Sequence, residues 1–242
     1  MNIIKLSAIN STNEYLKGLL HERHLENFTV VAAETQTEGK GQMGAQWVTE
    51  AGKNLTVSVL VKDLLLDIQS IFLLNAATAV SIAQAVGKFG LADTAIKWPN
   101  DILSEGKKIG GILIENSIRT SGEIYSVIGI GLNVNQANFS GLPKASSLAV
   151  QAGREFDKNE VLAEILTCLK RNVALLMNGG GETLWKEYHD RLFKKGTPMP
   201  FEKDGRQFMA IIRGVSPVGT LQVQLQDDSV AEYHIKEVQL LY

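Results

Sequence analysis

The chain has 242 residues, 45% hydrophobic and 21% charged, an ordinary globular composition that excludes a disordered or fibrous protein. A formal net charge of -2 argues against a general nucleic-acid binder, whose phosphate contacts need a basic surplus. The single cysteine, Cys168, excludes an intramolecular disulfide and a cysteine-held zinc ion; among Ile165, Leu166, Leu169 and Val173 it reads as an inert core thiol.

Met1 to Ser11 has neither the basic start nor the apolar run of a secretory signal. No later apolar segment approaches the roughly 18 residues of a membrane helix, so a cytoplasmic protein away from membranes is expected. Ser11-Thr12-Asn13-Glu14 has the form of a capping box and opens a short helix through Tyr15, Leu16, Leu19 and Leu20. Strands follow at Phe28 to Ala33 and at Asn54 to Lys62, where Leu55, Val57, Val59 and Val61 alternate with Thr56 and Ser58. The spacing of Leu73, Leu74, Ala77, Val80 and Ala83 predicts a helix from Ser70 to Phe89.

Ile109 to Glu115 and Ile124 to Val134 read as a strand pair separated by the polar stretch Asn116 to Glu123. Asp157 and Glu160 cap a long amphipathic helix that ends at Asn178-Gly179-Gly180-Gly181, and a shorter helix covers Glu182 to Phe193. Beyond Lys195-Gly196 the pattern changes to short alternating stretches, Phe208 to Arg213, Thr220 to Gln226 and Ala231 to Ile235, with turn residues between them. The expectation is an α/β (α+β) domain over 1–194, a mixed sheet flanked by helices, and a small antiparallel barrel over 195–242.

Gly39-Lys40-Gly41-Gln42-Met43-Gly44 matches the three-glycine dinucleotide pattern, but no helix follows; Trp47 leads instead towards the strand at Asn54. What remains is a glycine-rich loop between strands, either a plain hairpin tip or a set of backbone N–H groups for an anion. Lys97-Trp98-Pro99-Asn100-Asp101 suits a turn, yet a turn accounts for Pro99, Asn100 and Asp101 and leaves Lys97 and Trp98 unexplained. Lys108 precedes Gly110 and Gly111 at the start of a buried strand, where glycines admit a ligand or another backbone. Gly129 and Gly131 fall on one face of the strand leading to Asn133, a bare face that accepts a flat ring or tight helix packing.

In this order, the five motifs resemble the biotin protein ligase family across nearly the whole chain. The family's Ser-Thr-Asn falls on Ser11, Thr12 and Asn13, its glutamine on Gln36, and its glycine-rich loop and following tryptophan on Gly39 to Gly44 and Trp47. Its Lys-Trp-Pro-Asn-Asp is identical at Lys97 to Asp101, its lysine before Gly-Ile-Leu is Lys108, and its glycine-rich strand is Gly129 to Asn133. Where the family's loop is rich in arginine, this chain has Lys40, Gln42, Met43 and Ala45.

The resemblance implies a catalytic domain related to class II aminoacyl-tRNA synthetases and a C-terminal SH3-like barrel. It implies ATP-dependent formation of biotinyl-5'-AMP and transfer of biotin to a lysine of a biotin carboxyl carrier domain of an acyl-CoA carboxylase. Some relatives carry an N-terminal winged helix; since this chain opens on the catalytic domain, no DNA-binding role is expected. Biotin contacts are expected from Ser11, Thr12, Asn13, Gln36, Lys40, Gly41, Gln42, Trp47, Lys108 and Gly111. ATP contacts are expected from Gly39, Lys40, Lys97, Trp98, Asn100, Asp101, Gly131 and Asn133, with Lys97, Lys108 and Lys40 as the catalytic cations and Asp101 as a ligand of Mg²⁺. A lipoate ligase or octanoyltransferase, and a binding module that has lost catalysis, are the competing readings; a homodimer through a sheet edge stays open.

Overall fold

The computed structural model describes residues 2–62, 72–118 and 123–242. Strand β1 (Ile3–Ile9) leads through α1 (Thr12–Glu22) to β2 (Val30–Gln36), which lies parallel to β1. Parallel neighbours need a crossover, and α1 provides it. A hairpin with one 3-10 turn (Gln42–Gly44) then connects β2 to its antiparallel neighbour β3 (Leu55–Val61). After α2 (Phe72–Lys88) come β4 (Thr94–Lys97) and β5 (Asp101–Ser104), both too short for periodicity to reveal, and the long pair β6 (Lys107–Ile118) and β7 (Ile124–Leu132). These strands make the expected mixed sheet, seven-stranded in the order β1-β2-β3-β7-β6-β5-β4. Strand β6 reaches into the polar stretch expected to separate it from β7; residues 119–122 of that stretch, and the start of α2 expected at Ser70, lie outside the described residues.

Both faces of the sheet are covered, so every residue of β3 is buried. Leu55, Val57, Val59 and Val61 enter a core shared with α2 and α4 (Lys158–Met177), while Leu60 packs with Leu16 and Leu19 of α1, Val31 and Val127. The alternation in β3 therefore separates an apolar core from a second buried face that carries Thr56 and Ser58. A short α3 (Leu148–Ala152) precedes α4, whose N-cap Asp157 accepts from the Asn159 N–H. Helix α5 (Gly181–Asp190) stops short of the expected Phe193, because Leu192 and Phe193 turn to meet Ile96 of β4. Cys168 is fully buried on α4, and burial raises its thiol pKa, as an inert core thiol requires.

The C-terminal strands β8 (Pro198–Lys203), β9 (Arg206–Val215), β10 (Leu221–Gln224), β11 (Val230–Tyr233) and β12 (Gln239–Leu240) form a five-stranded antiparallel sheet in the order β11-β10-β9-β8-β12. It is packed firmly on the first sheet: Phe201, Ile212, Val223 and Val238 belong to the same buried cluster as α2 and α4. Val215 N–H donates to His189 Nε2 of α5 at 3.0 Å, and the Trp98 indole N–H donates to the Gly219 carbonyl at 2.9 Å. Among the described residues no helix is long and apolar enough to cross a membrane.

Candidate active site

A cavity of about 540 Å³ lies between α1, the 39–47 hairpin, the β4–β5 turn, the start of β6 and the glycines of β7, with the end of the barrel at its rim. That volume suits a small organic ligand. Ser11, Thr12, Asn13, Gln36, Lys40, Gly41, Gln42, Trp47, Lys97, Trp98, Asn100, Asp101, Lys108, Gly111 and Gly131 all line it, whereas Gly39 and Asn133 do not. Gly39 is pressed against the Trp47 carbonyl, where a Cβ would lie at 2.3 Å. Asn133, expected to meet adenine or ribose, is buried and donates through Nδ2 to the Ser146 carbonyl at 3.0 Å. Its amide ties β7 to the chain before α3.

At the α1 end the side chains are neutral and joined to each other. The expected capping box is absent: Ser11 is the N-cap but its hydroxyl caps nothing, and Glu14 turns away to Lys17 and Lys40. The open helix start is met from β2, because Gln36 Oε1 accepts from both the Thr12 N–H at 2.8 Å and the Thr12 hydroxyl at 2.9 Å. Ser58 of β3 donates to Asn13 Oδ1 at 2.5 Å with Thr12 Oγ1 2.8 Å away, and Asn13 Nδ2 donates to Glu115 at 2.7 Å. Sequence reading missed Ser58 and Glu115; the polar positions of an otherwise apolar β3 were the available signal.

The glycines of β7 serve this packing. A Cβ on Gly129 would fall 2.6 Å from Asn13 Oδ1, and one on Gly131 would fall 2.4 Å from the Trp47 indole. The face read as bare is thus taken by an amide and by a flat ring, and that ring is the protein's own Trp47. Its Nε1–H is buried with no acceptor among the described residues.

Charge gathers at the other end. Lys97 and Asp101 face each other across the β4–β5 hairpin, and Asn100 clamps the turn to β6 by donating to the Ile112 carbonyl at 2.6 Å. Asp101 Oδ1 lies 2.6 Å from Lys108 Nζ and Oδ2 3.5 Å from Lys97 Nζ, so one carboxylate, itself 14% exposed, stands between two ammonium groups. Lys108 also sits 5.7 Å from the centre of the Trp47 ring, and Lys97 5.5 Å from that of Tyr242. Trp98 lies nearly buried against the barrel, an anchor as well as a wall. Lys40 is half exposed and pairs with Glu14 at 2.7 Å; that bond, with a second from Lys17, holds the Glu14 carboxyl below its ordinary pKa. On the far side of the hairpin the Met43 carbonyl accepts from Lys236 of the barrel, with Met43 in the left-handed backbone region at φ 53°.

This donor set does not suit a protein-held Mg²⁺. Such an ion is bound through one or two carboxylates together with phosphates and waters, whereas both oxygens of Asp101 already face lysines. Among the described residues no group of three or more His, Cys, Asp or Glu could hold a metal ion. Asp101 stands as the counter-charge that holds two lysines at one place.

Residues 6–135 match the model of the biotin/lipoate A/B protein ligase family. The chain belongs to that family and, within it, to the biotin protein ligases. It is 30% identical over 223 residues to the biotin--[acetyl-CoA-carboxylase] ligase of Paracoccus denitrificans, covering 89% of this chain and 91% of that protein. It is 30% identical over 233 residues to the bifunctional ligase/repressor BirA of Bacillus spizizenii, covering 93% of this chain and 70% of that one. The fold matches that of the Aquifex aeolicus biotin protein ligase solved in complex with biotin and ATP, with a TM-score of 0.81, 23% identity, and 99% and 98% of the two chains covered.

Proposed function

We propose that this protein joins biotin to ATP to form biotinyl-5'-AMP and then passes the biotinyl group to a lysine of a biotin carboxyl carrier domain. The observation that carries this reading is the two-ended cavity, neutral and hydrogen-bonding around Thr12, Asn13, Gln36 and Ser58, cationic around Lys97 and Lys108. A ureido group presents donors and acceptors side by side and can exchange hydrogen bonds with hydroxyl and amide groups, which an alkyl acyl chain has no polar atoms to do. This favours biotin over lipoate or octanoate.

In the first step a carboxylate oxygen of biotin attacks the α-phosphorus of ATP, a P–O bond forms, and pyrophosphate leaves with the electrons of the broken bond. Two anions must approach, and fixed ammonium groups lower the barrier by meeting the charge that builds between them. Lys97 and Lys108 would do this, and their positions on either side of Asp101 support that role. Magnesium would enter as the counter-ion of ATP. In the second step the carrier's neutral lysine amine attacks the acyl carbon, AMP leaves, and the new amide nitrogen loses a proton.

The mixed anhydride is readily hydrolysed, so water must be kept out between the steps. The 39–47 hairpin fits that task, with Trp47 packed over β7 and its tip held by Lys40 to Glu14 and by Met43 to Lys236. The test is transfer of labelled biotin to a purified carrier domain, with and without ATP, beside Lys97→Ala. ATP-dependent labelling that falls about 10²- to 10³-fold in the variant is expected; ATP-independent labelling, or a preference for octanoate or lipoate over biotin, would overturn the reading.

A further inference from the structure

Among the three lysines expected to be catalytic, Lys97 is held differently from the others; Lys236, the fourth lysine of the cavity, donates to the Met43 carbonyl. Lys108 has a carboxylate oxygen at 2.6 Å and Lys40 one at 2.7 Å, whereas the nearest to Lys97 is 3.5 Å away, beyond a good hydrogen bond. No hydrogen bond to Lys97 Nζ occurs among the described residues, yet the side chain is only 21% exposed. Its other neighbour is the ring of Tyr242, reached from the barrel beyond β12. That ring is itself fixed. It meets Phe193 edge-on at 5.1 Å, it lies 4.3 Å from Lys144 Nζ, and the preceding Leu241 N–H donates to the Pro200 carbonyl at 2.9 Å.

We infer that Tyr242 is a positioning residue for Lys97, its ring face fixing the ammonium group by a cation–π contact while leaving the N–H donors free for substrate oxygen atoms. An aromatic face attracts a cation through its quadrupole and occupies none of its strong acceptors. A second carboxylate in the same place would hold Lys97 more tightly but would compete with the incoming anions. Burial, and then the neighbouring Asp101 charge, push the Tyr242 hydroxyl above its ordinary pKa, so the ring stays neutral across the physiological range. The barrel thereby contributes to the chemistry through one side chain.

This inference rests on the proposed adenylation, and biotin-dependent exchange of labelled pyrophosphate into ATP tests both together. If the unaltered protein shows no such exchange, the proposed reaction falls and this inference with it. If it does, Tyr242→Leu should lower the maximal exchange rate roughly 3- to 30-fold with the KM for biotin changed less than about twofold, and Tyr242→Phe and Tyr242→Trp should restore the rate to within about threefold. Lys97→Arg keeps a cation and Lys97→Met removes it, so Tyr242→Leu should weigh on the first background and add nothing on the second. A Leu variant as active as the Phe variant would overturn the inference, as would equal losses on both Lys97 backgrounds. Matched melting temperatures for Leu and Phe exclude a folding defect; if Leu alone melts lower, binding of a non-hydrolysable biotinyl-adenylate analogue decides, with affinity equal to that of the Phe variant overturning the inference.

Discussion

At the α1 end of the cavity, Thr12, Asn13, Gln36 and Ser58 satisfy one another through bonds of 2.5 to 2.9 Å; at the β4–β5 end, Lys97 and Lys108 share the single carboxylate of Asp101. The first arrangement is a hydrogen-bond network, anchored through Asn13 on the Glu115 carboxylate, that fixes shape. The second leaves positive charge in excess, which an anionic ligand would complete. A network of neutral groups can be satisfied inside the protein and exchange partners when a ligand arrives, whereas charge left over in a partly buried site makes a standing demand for counter-charge.

The contrast is open to disruption from each side. After loss of Lys97 itself, the largest effect is expected from Asp101→Asn, which leaves two ammonium groups facing each other and lets both reorient. Adenylate formation should drop about 10- to 100-fold, read by pyrophosphate exchange, with biotin binding in calorimetry much less affected. Gly129→Ala attacks the other end, since the new methyl group would meet Asn13 Oδ1 at 2.6 Å and push the amide out of the network. A loss of about 1 to 3 kcal/mol in biotin affinity is expected from that overpacking, measured by calorimetry. A Gly129→Ala variant that bound biotin normally but failed to use ATP would show that the two ends are not divided as argued.

The smallest effect belongs to the Glu14–Lys40 tether of the hairpin, a partly exposed ion pair. Because its carboxyl pKa is depressed in the folded protein, the tether is intact above the ordinary glutamate range and is lost as pH falls through the depressed value. Limited proteolysis at 39–47 should therefore accelerate on acidification in the native chain, and in Glu14→Gln should be faster at neutral pH and flat with pH.

What could be read from the sequence was what the chain keeps local. Lys97 and Asp101 face each other because a tight turn joins them, so their pairing is implicit in five consecutive residues. The long helix at α4 and the strand β3 announced themselves by periodicity over several turns or pleats. By contrast, Ser58 meets Asn13 from another strand, and Tyr242 meets Lys97 from another sheet; no local pattern encodes either approach. Strand β1 was missed because none of its residues is fully buried: it lies at the sheet edge, and its exposed and half-buried positions alternate without an apolar run to mark them. Ser11 and Glu14 misled in the opposite direction: the capping-box spacing was present, but tertiary partners at Gln36, Lys17 and Lys40 provided other bonds.

The indole of Trp98 is, in mechanical terms, a bolt. It leaves the turn between β4 and β5 and seats its N–H on Gly219 of the barrel, in the midst of a hydrophobic cluster that spans both sheets. Swinging the barrel aside would strand that N–H and bare the ring, so a hinge at this joint would be a costly way to open the site. The frame around the cavity is rigid on this side, and the compliant part is the tip of the glycine hairpin opposite, which a partly exposed ion pair and one carbonyl contact fasten. Substrates would then enter by a flap moving against a fixed jamb.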